Sequence, residues 1–179
     1  MKVTLYMAIS LNGIIARENG DEDFLSHENW NDFISLAKEK GNFIYGRKTY
    51  EAVRKWGDEY LKDLASIPTM VCVSENSTGK VENGFEFVSS PKEALDLLSR
   101  KGYTEALLTG GATNNSAFAS EGLIDEVLLN VEPCIVGKGI AVFKPDDFNI
   151  KLAFVESKTS PSGIVRLHYQ VVKEGNFGI

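Results

Sequence analysis

A chain of 179 residues that is 43% hydrophobic and 25% charged has an ordinary globular composition and the length to fill one core. Its net charge of −6, with no Lys/Arg-rich block, excludes a protein whose affinity comes from neutralising nucleic-acid phosphates. No apolar run approaches the ~20 residues of a membrane span and the opening apolar run is too short for a signal segment, so one cytoplasmic domain over residues 1–179 is expected.

Residues 3–9 form the first expected strand, and residues 17–23 read as a mobile polar loop. From His27 to Lys40, Trp30, Phe33, Ile34 and Ala37 recur at spacings of three and four, which places them on one helical face, and Gly41 stands where a C-terminal cap belongs. Residues 42–45 read as a second strand. Gly46-Arg47-Lys48-Thr49 then turns into a helix that runs towards Trp56 and ends at Gly57. Strands follow at 69–74, 85–88 and 106–109, with a helix over 91–101 that Pro91 opens. After the 109–118 segment and Gly122 the helical pattern fades. Residues 127–131, 134–136, 152–158 and 164–172 are strand-like, and Pro161-Ser162-Gly163 is a hairpin turn. This order predicts an α/β fold: a mostly parallel sheet flanked by helices, with antiparallel strands added at its C-terminal side. Cys72 and Cys134 lie in apolar runs without a CxxC pattern and are expected to be reduced core thiols; no metal-ligand spacing is present.

Two strand-to-helix junctions carry chemical information. In Leu107-Leu108-Thr109-Gly110-Gly111-Ala112-Thr113-Asn114 an apolar run breaks at adjacent glycines and resumes as a helix start. Such a junction offers unpaired N–H groups and a positive dipole end to an anion, although a plain turn reads the same way. Gly46-Arg47-Lys48-Thr49 repeats the logic with two cations, and an arginine can grip a phosphate bidentately. Neither GxxxxGK[ST] nor GxGxxG is present, so a dinucleotide would be divided between the two junctions.

Ala8-Ile9-Ser10-Leu11-Asn12-Gly13-Ile14-Ile15-Ala16, the Gly46–Glu51 junction, and Thr109-Gly110-Gly111-Ala112 followed by Leu123-Ile124-Asp125-Glu126 together resemble the dihydrofolate-reductase superfamily. The resemblance is nearest to its riboflavin-pathway branch, the reductase domain of the bifunctional pyrimidine deaminase-reductase. Leu123 to Glu126, Pro133, Val136-Gly137-Lys138-Gly139 and Phe143 match that branch's late pattern. The match runs from Val3 to about Val172, and the H-x-E and P-C-x-x-C pattern of zinc deaminases is absent.

The resemblance implies a three-layer α/β sandwich and an NADPH-dependent reductase. It places Ala8 and Ile15 beside the nicotinamide, and Gly46, Arg47, Lys48 and Thr49 at a phosphate-holding helix start with Arg47 on the adenosine 2′-phosphate. Ser74 matches a second 2′-phosphate position. Gly110, Gly111, Ala112 and Thr113 match the pyrophosphate loop, where the glycine-glycine bond is cis in the family. A homodimer is also implied.

Hydride chemistry belongs to the cofactor, so the protein needs few catalytic groups. Folate reductases use a carboxylate on the first helix to grip the pterin, and a gapless match from Gly46 backwards puts Trp30 there, as a pocket wall or core aromatic. Asp32 is the nearby catalytic candidate, yet two residues rotate a helical side chain by about 200°, off that face. Asn12 is a candidate for substrate contact or catalysis, against the turn that Asn-Gly ordinarily signals. Asn130 matches a substrate-side polar position. The reading is an NADPH-dependent reductase of a small pyrimidine- or pterin-like heterocycle. True dihydrofolate reduction, a dinucleotide-binding module without turnover, and a purely structural α/β domain stay open beside it.

Overall fold

The computed structural model describes residues 1–173. Eleven strands and five helices occur among them: β1 Lys2–Ser10, β2 Ile14–Ala16, α1 His27–Lys40, β3 Asn42–Gly46, α2 Arg47–Val53, α3 Asp58–Ala65, β4 Thr69–Val73, β5 Val81–Glu82, β6 Phe85–Val88, α4 Pro91–Arg100, β7 Glu105–Leu108, α5 Ala112–Ser120, β8 Glu126–Glu132, β9 Ile140–Ala141, β10 Leu152–Thr159 and β11 Val165–Val171. Nine strands make one sheet in the order β10-β11-β8-β1-β7-β3-β4-β6-β5, and β2 pairs with β9 in a small second sheet. From β8 to β6 the neighbours run parallel, while β11 and β10 add antiparallel at one edge and β5 at the other. The expected mixed sheet is therefore present.

Strand alternation sends successive residues into two cores, one on each face. Tyr6, Phe43, Tyr45, Cys72, Phe85 and Phe87 pack under α1, α2 and α3, whereas Val3, Leu5, Ile44, Val71 and Leu108 pack under α4 and α5. On α1 the buried face holds Trp30, Phe33, Ile34 and Ala37, the residues whose spacing predicted it, and Gly41 caps the helix at φ 71°. Pro91 opens α4, where the Ser90 side chain accepts the N–H of Glu93.

Several expectations are corrected. Residues 134–136 form no strand, because the Val136 N–H bonds the Asn12 side chain instead of a neighbouring strand. The helix from Gly46 does not run to Gly57 but stops at Val53, and Gly57 instead precedes α3, whose first turn carries Asp58 and Glu59 against the positive dipole end. Strands β2, β5 and β9, two or three residues each, carry too little alternation to be read from sequence. Cys72 is a core thiol whose pKa burial pushes up to about 12, but Cys134 is only partly buried. Among the described residues no helix is long and apolar enough to cross a membrane.

Candidate active site

The parallel strands β1, β7 and β3 lie side by side, so their C-terminal ends open on one edge of the sheet, where an α/β fold gathers ligands. Both glycine junctions arise there: β3 passes into α2 at Gly46 and β7 passes into α5 at Gly110-Gly111. The Gly46 N–H donates to the Gly110 carbonyl at 2.7 Å, which joins the two turns directly. The bond between Gly110 and Gly111 is cis. A Cβ on Gly46 would stand 2.9 Å from the Asn114 Cβ, and one on Gly111 would stand 2.9 Å from Thr49 Oγ1, so the approach requires glycine at both places. Neither α2 nor α5 has a side-chain cap, and Asn114 Oδ1 is buried without a hydrogen-bond partner. The first N–H groups of α5 therefore have no side-chain cap next to the double glycine.

Beside these turns lies a cavity of about 510 Å3. Ala8 and Ile15 line it together with Thr49, Gly110 and Gly111, while Trp30 and Phe33 of α1 form an apolar wall. Trp56 and Tyr60 extend that wall, with ring centroids 5.7 and 4.9 Å from Trp30. The Trp30 indole N–H donates to Asp63 Oδ2 at 2.8 Å, which fixes the ring. Tyr6 and Asn29 supply polar atoms. The Tyr6 hydroxyl donates to the Asn29 carbonyl at 3.0 Å, and burial, reinforced by the Asp32 charge, pushes its pKa above the usual phenol range.

The structure places Asn12, Asp32 and Asn130 outside the residues lining this cavity and the other sequence candidates around the two junctions. Asn12 is no cavity residue: its Oδ1 accepts from Ser10 Oγ and the Val136 N–H, and its Nδ2 donates to the Val136 carbonyl at 2.8 Å. It fastens the β1–β2 turn to the 133–137 segment. Asp32 pairs with Arg166 and accepts from Asn130 Nδ2 at 2.8 Å, facing a separate cleft of about 190 Å3. The helical rotation that separates it from Trp30 is the physical reason. Asn130 is 1% exposed, bonded through Nδ2 to Tyr6, Asn29 and Asp32 and through Oδ1 to Arg166, so it is tied into a polar spine behind the cavity wall. Arg47 and Lys48 are exposed at the start of α2, and Arg47 holds Glu51 at 2.5 Å. Ser74 is buried just past β4, whose Val73 is in register with Gly46. Ala112 is buried and Thr113 exposed in the first turn of α5.

Sequence reasoning missed Tyr6, Glu22, Trp56 and Tyr60. Tyr6 was accessible to it, since a β1 face that presents Ala8 also presents Tyr6 two residues earlier. Tyr60 required α3, and Trp56 stands in the turn that precedes it. Glu22 lies in the 17–23 segment, where no periodicity points inward; its partly buried carboxyl lines the cavity, and desolvation alone raises its pKa to about 7. No hydrogen bond or ion pair of that carboxyl occurs among the described residues.

Comparison with known proteins gives the same frame. The RibD C-terminal domain matches residues 1–166. YyaP of Bacillus subtilis is 25% identical over 180 residues, covering 94% of both chains. The riboflavin biosynthesis protein RibD of Corynebacterium ammoniagenes is 25% identical over 154 residues, 78% of this chain but 45% of that one. The crystal structure of a diaminohydroxyphosphoribosylaminopyrimidine deaminase/5-amino-6-(5-phosphoribosylamino)uracil reductase from Thermotoga maritima superposes with a TM-score of 0.74 at 19% identity, over 96% of this chain and 56% of that one. The fold and the residues matched agree with the motif order read from the sequence: the chain belongs to the RibD C-terminal domain family, a reductase-domain branch of the dihydrofolate-reductase-like fold.

Proposed function

We propose that the chain is an NADPH-dependent reductase of a small pyrimidine- or pterin-like substrate, of the kind that 5-amino-6-(5-phosphoribosylamino)uracil represents. One observation carries this reading: two uncapped glycine junctions touch each other at the mouth of a largely apolar cavity. The residues fit a dinucleotide, because backbone replaces side chain at the two close approaches and neither helix start is capped by a side chain. Gly110, Gly111, Ala112 and Thr113 would hold the pyrophosphate. Gly46, Arg47, Lys48, Thr49 and Ser74 would take the adenosine end with its 2′-phosphate, and Ala8 and Ile15 would flank the nicotinamide. When bound, the cofactor supplies hydride. Ile15, Trp30 and Phe33 keep water from the reacting face, and a dry site strengthens every polar contact within it.

Titration with NADPH and NADH, read by tryptophan fluorescence, tests the reading. Both tryptophans of the chain, Trp30 and Trp56, line the cavity, so binding of NADPH is expected to change the signal. Absence of any change with either nucleotide refutes the proposal. The Arg47–Glu51 pair is half exposed and contributes little to stability, so Arg47 is free to exchange its partner for a phosphate. Arg47→Ala is expected to weaken NADPH by at least about tenfold more than NADH, since a charge-assisted hydrogen bond is worth about 1.5–3 kcal/mol. An unchanged preference removes Arg47 from the 2′-phosphate.

The folate alternative needs a first-helix carboxylate in the cavity. Asp32 is tied to Arg166 and Asn130 outside it, so dihydrofolate is expected to be a poor substrate, and Asp32→Asn is expected to leave cofactor binding unaltered. A homodimer in a cytoplasmic setting completes the proposal.

A further inference from the structure

We propose that Glu22 is the proton donor of this reduction, its unpaired carboxyl delivering a proton from the cavity wall to the heteroatom of a bound C=N or C=O group. The inference rests on the proposed reductase reading and goes beyond it by naming the acid. Two carboxylates line the cavity, and Asp21 is occupied, accepting from Asn19 Nδ2 at 2.6 Å. Glu22 has no such partner among the described residues. The nearby cation, Arg17, is taken by Asp23 at 2.5 Å. Backbone bonds hold the segment in place: the Arg17 N–H donates to the Asp21 carbonyl at 2.8 Å and the Leu25 N–H to the Glu22 carbonyl at 2.9 Å.

Glu22 shares the cavity lining with the buried Tyr45, whose phenol pKa is raised by its own burial first and by the Glu22 charge second. Burial pushes Glu22 up to about 7, where an acid is both protonated enough and strong enough to serve at neutral pH. Every other titratable group on the cavity is disposed differently. The Tyr6 proton is given to the Asn29 carbonyl, Tyr60 of α3 stacks edge-on against Trp30, and His27 lies exposed at the start of α1 against Tyr60. Of the acids on α1, Glu28 accepts from Ser162 at 2.6 Å and Asp32 belongs to Arg166. An unpaired acid with a raised pKa in a ligand-sized cavity is the usual mark of a group kept for proton transfer.

The chemistry balances. Reduction of C=N or C=O adds hydride from the reduced nicotinamide to carbon, breaking the π bond towards the heteroatom, and Glu22 gives that atom its proton. Glu22 is left as carboxylate and recovers a proton from water at the cavity mouth.

The test compares the native chain with Glu22→Gln, Glu22→Asp and His27→Asn. In 13C spectra of side-chain-labelled glutamate, the resonance missing from Glu22→Gln is expected to titrate near pH 7 in the native chain, with or without cofactor. NADPH oxidation with 5-amino-6-(5-phosphoribosylamino)uracil as probe is expected to slow as pH rises through about 7. In Glu22→Gln kcat is expected to fall at least 100-fold and lose that dependence. Glu22→Asp is expected to recover part of the rate, and His27→Asn to keep the native pH profile. NADPH binding at pH 6, read by tryptophan fluorescence, is expected to stay within threefold in Glu22→Gln, which also shows that the variant folds. A titration midpoint below pH 5, or a Glu22→Gln rate within a few-fold of native with the same profile, overturns the donor role. Failure of the underlying reductase reading looks different: the native chain then shows no fluorescence response to NADPH, and the donor role falls with it.

Discussion

Glu22 also affects stability, with a sign that can be worked out. Its pKa is raised in the folded chain, to about 7 from an ordinary 4.5, so the unfolded chain releases this proton first as pH rises. Stability from this group is fully present below about pH 4.5, declines between about 4.5 and 7, and then stays at its lower level. The full loss is on the order of 3 kcal/mol. Glu22→Gln is therefore expected to resist urea better than the native chain at pH 8 and equally at pH 4; equal midpoints at both pH values would show that the carboxyl is well solvated. Asn12 is the opposite case. Its amide satisfies both backbone groups of Val136, so Asn12→Ala is expected to destabilise by about 1–3 kcal/mol while NADPH affinity is unchanged, read by urea unfolding and fluorescence titration. Sequence named Asn12 as a candidate through the motif around it, yet which hydrogen bonds an Asn side chain makes depends on a segment 124 residues away.

At the level of elements, the two glycine junctions were legible because each is local: an apolar run, glycine, then a helix start. Their contact was not, since it depends on β7 inserting between β1 and β3. The contact yields a graded prediction. An alanine methyl at Gly46 meets the Asn114 Cβ, which is fixed to the α5 backbone, whereas one at Gly111 meets the rotatable Thr49 hydroxyl. Gly46→Ala is expected to cost about 1–3 kcal/mol in urea unfolding and Gly111→Ala clearly less, with both losing NADPH affinity. Equal costs would mean that the turns do not meet as described. The helix α3 escaped sequence reading because α2 stops at Val53 and Gly57 starts a new helix, leaving α2 and α3 with seven and eight residues, too few for a clear period. That omission hid Tyr60 of the aromatic wall.

For the whole molecule, alternating β-branched runs and amphipathic helices before Gly122, then strands alone, were enough to announce a parallel sheet with antiparallel additions. The outermost strand β10 is exposed along its length, with Phe154 at 61% and Val155 at 45%, an apolar surface that favours coverage by a second copy of the chain. Light scattering is expected to give twice the 19.7 kDa chain mass, and Phe154→Glu is expected to return the monomer; a native monomer would refute the dimer. Sequence by itself determined the fold class, the family and the two glycine turns, since these rest on local periodicity and on glycines beside strand ends. Tertiary structure alone decided which polar groups are spent on holding the fold and which are left over. Asn12, Asp32 and Asn130 look available in the sequence but are consumed by partners about 100 residues distant or more. Glu22 looks like loop surface, yet it is partly buried on the cavity with no charged partner among the described residues. Desolvation and partnering are sums over neighbours in space, and a linear pattern does not contain them.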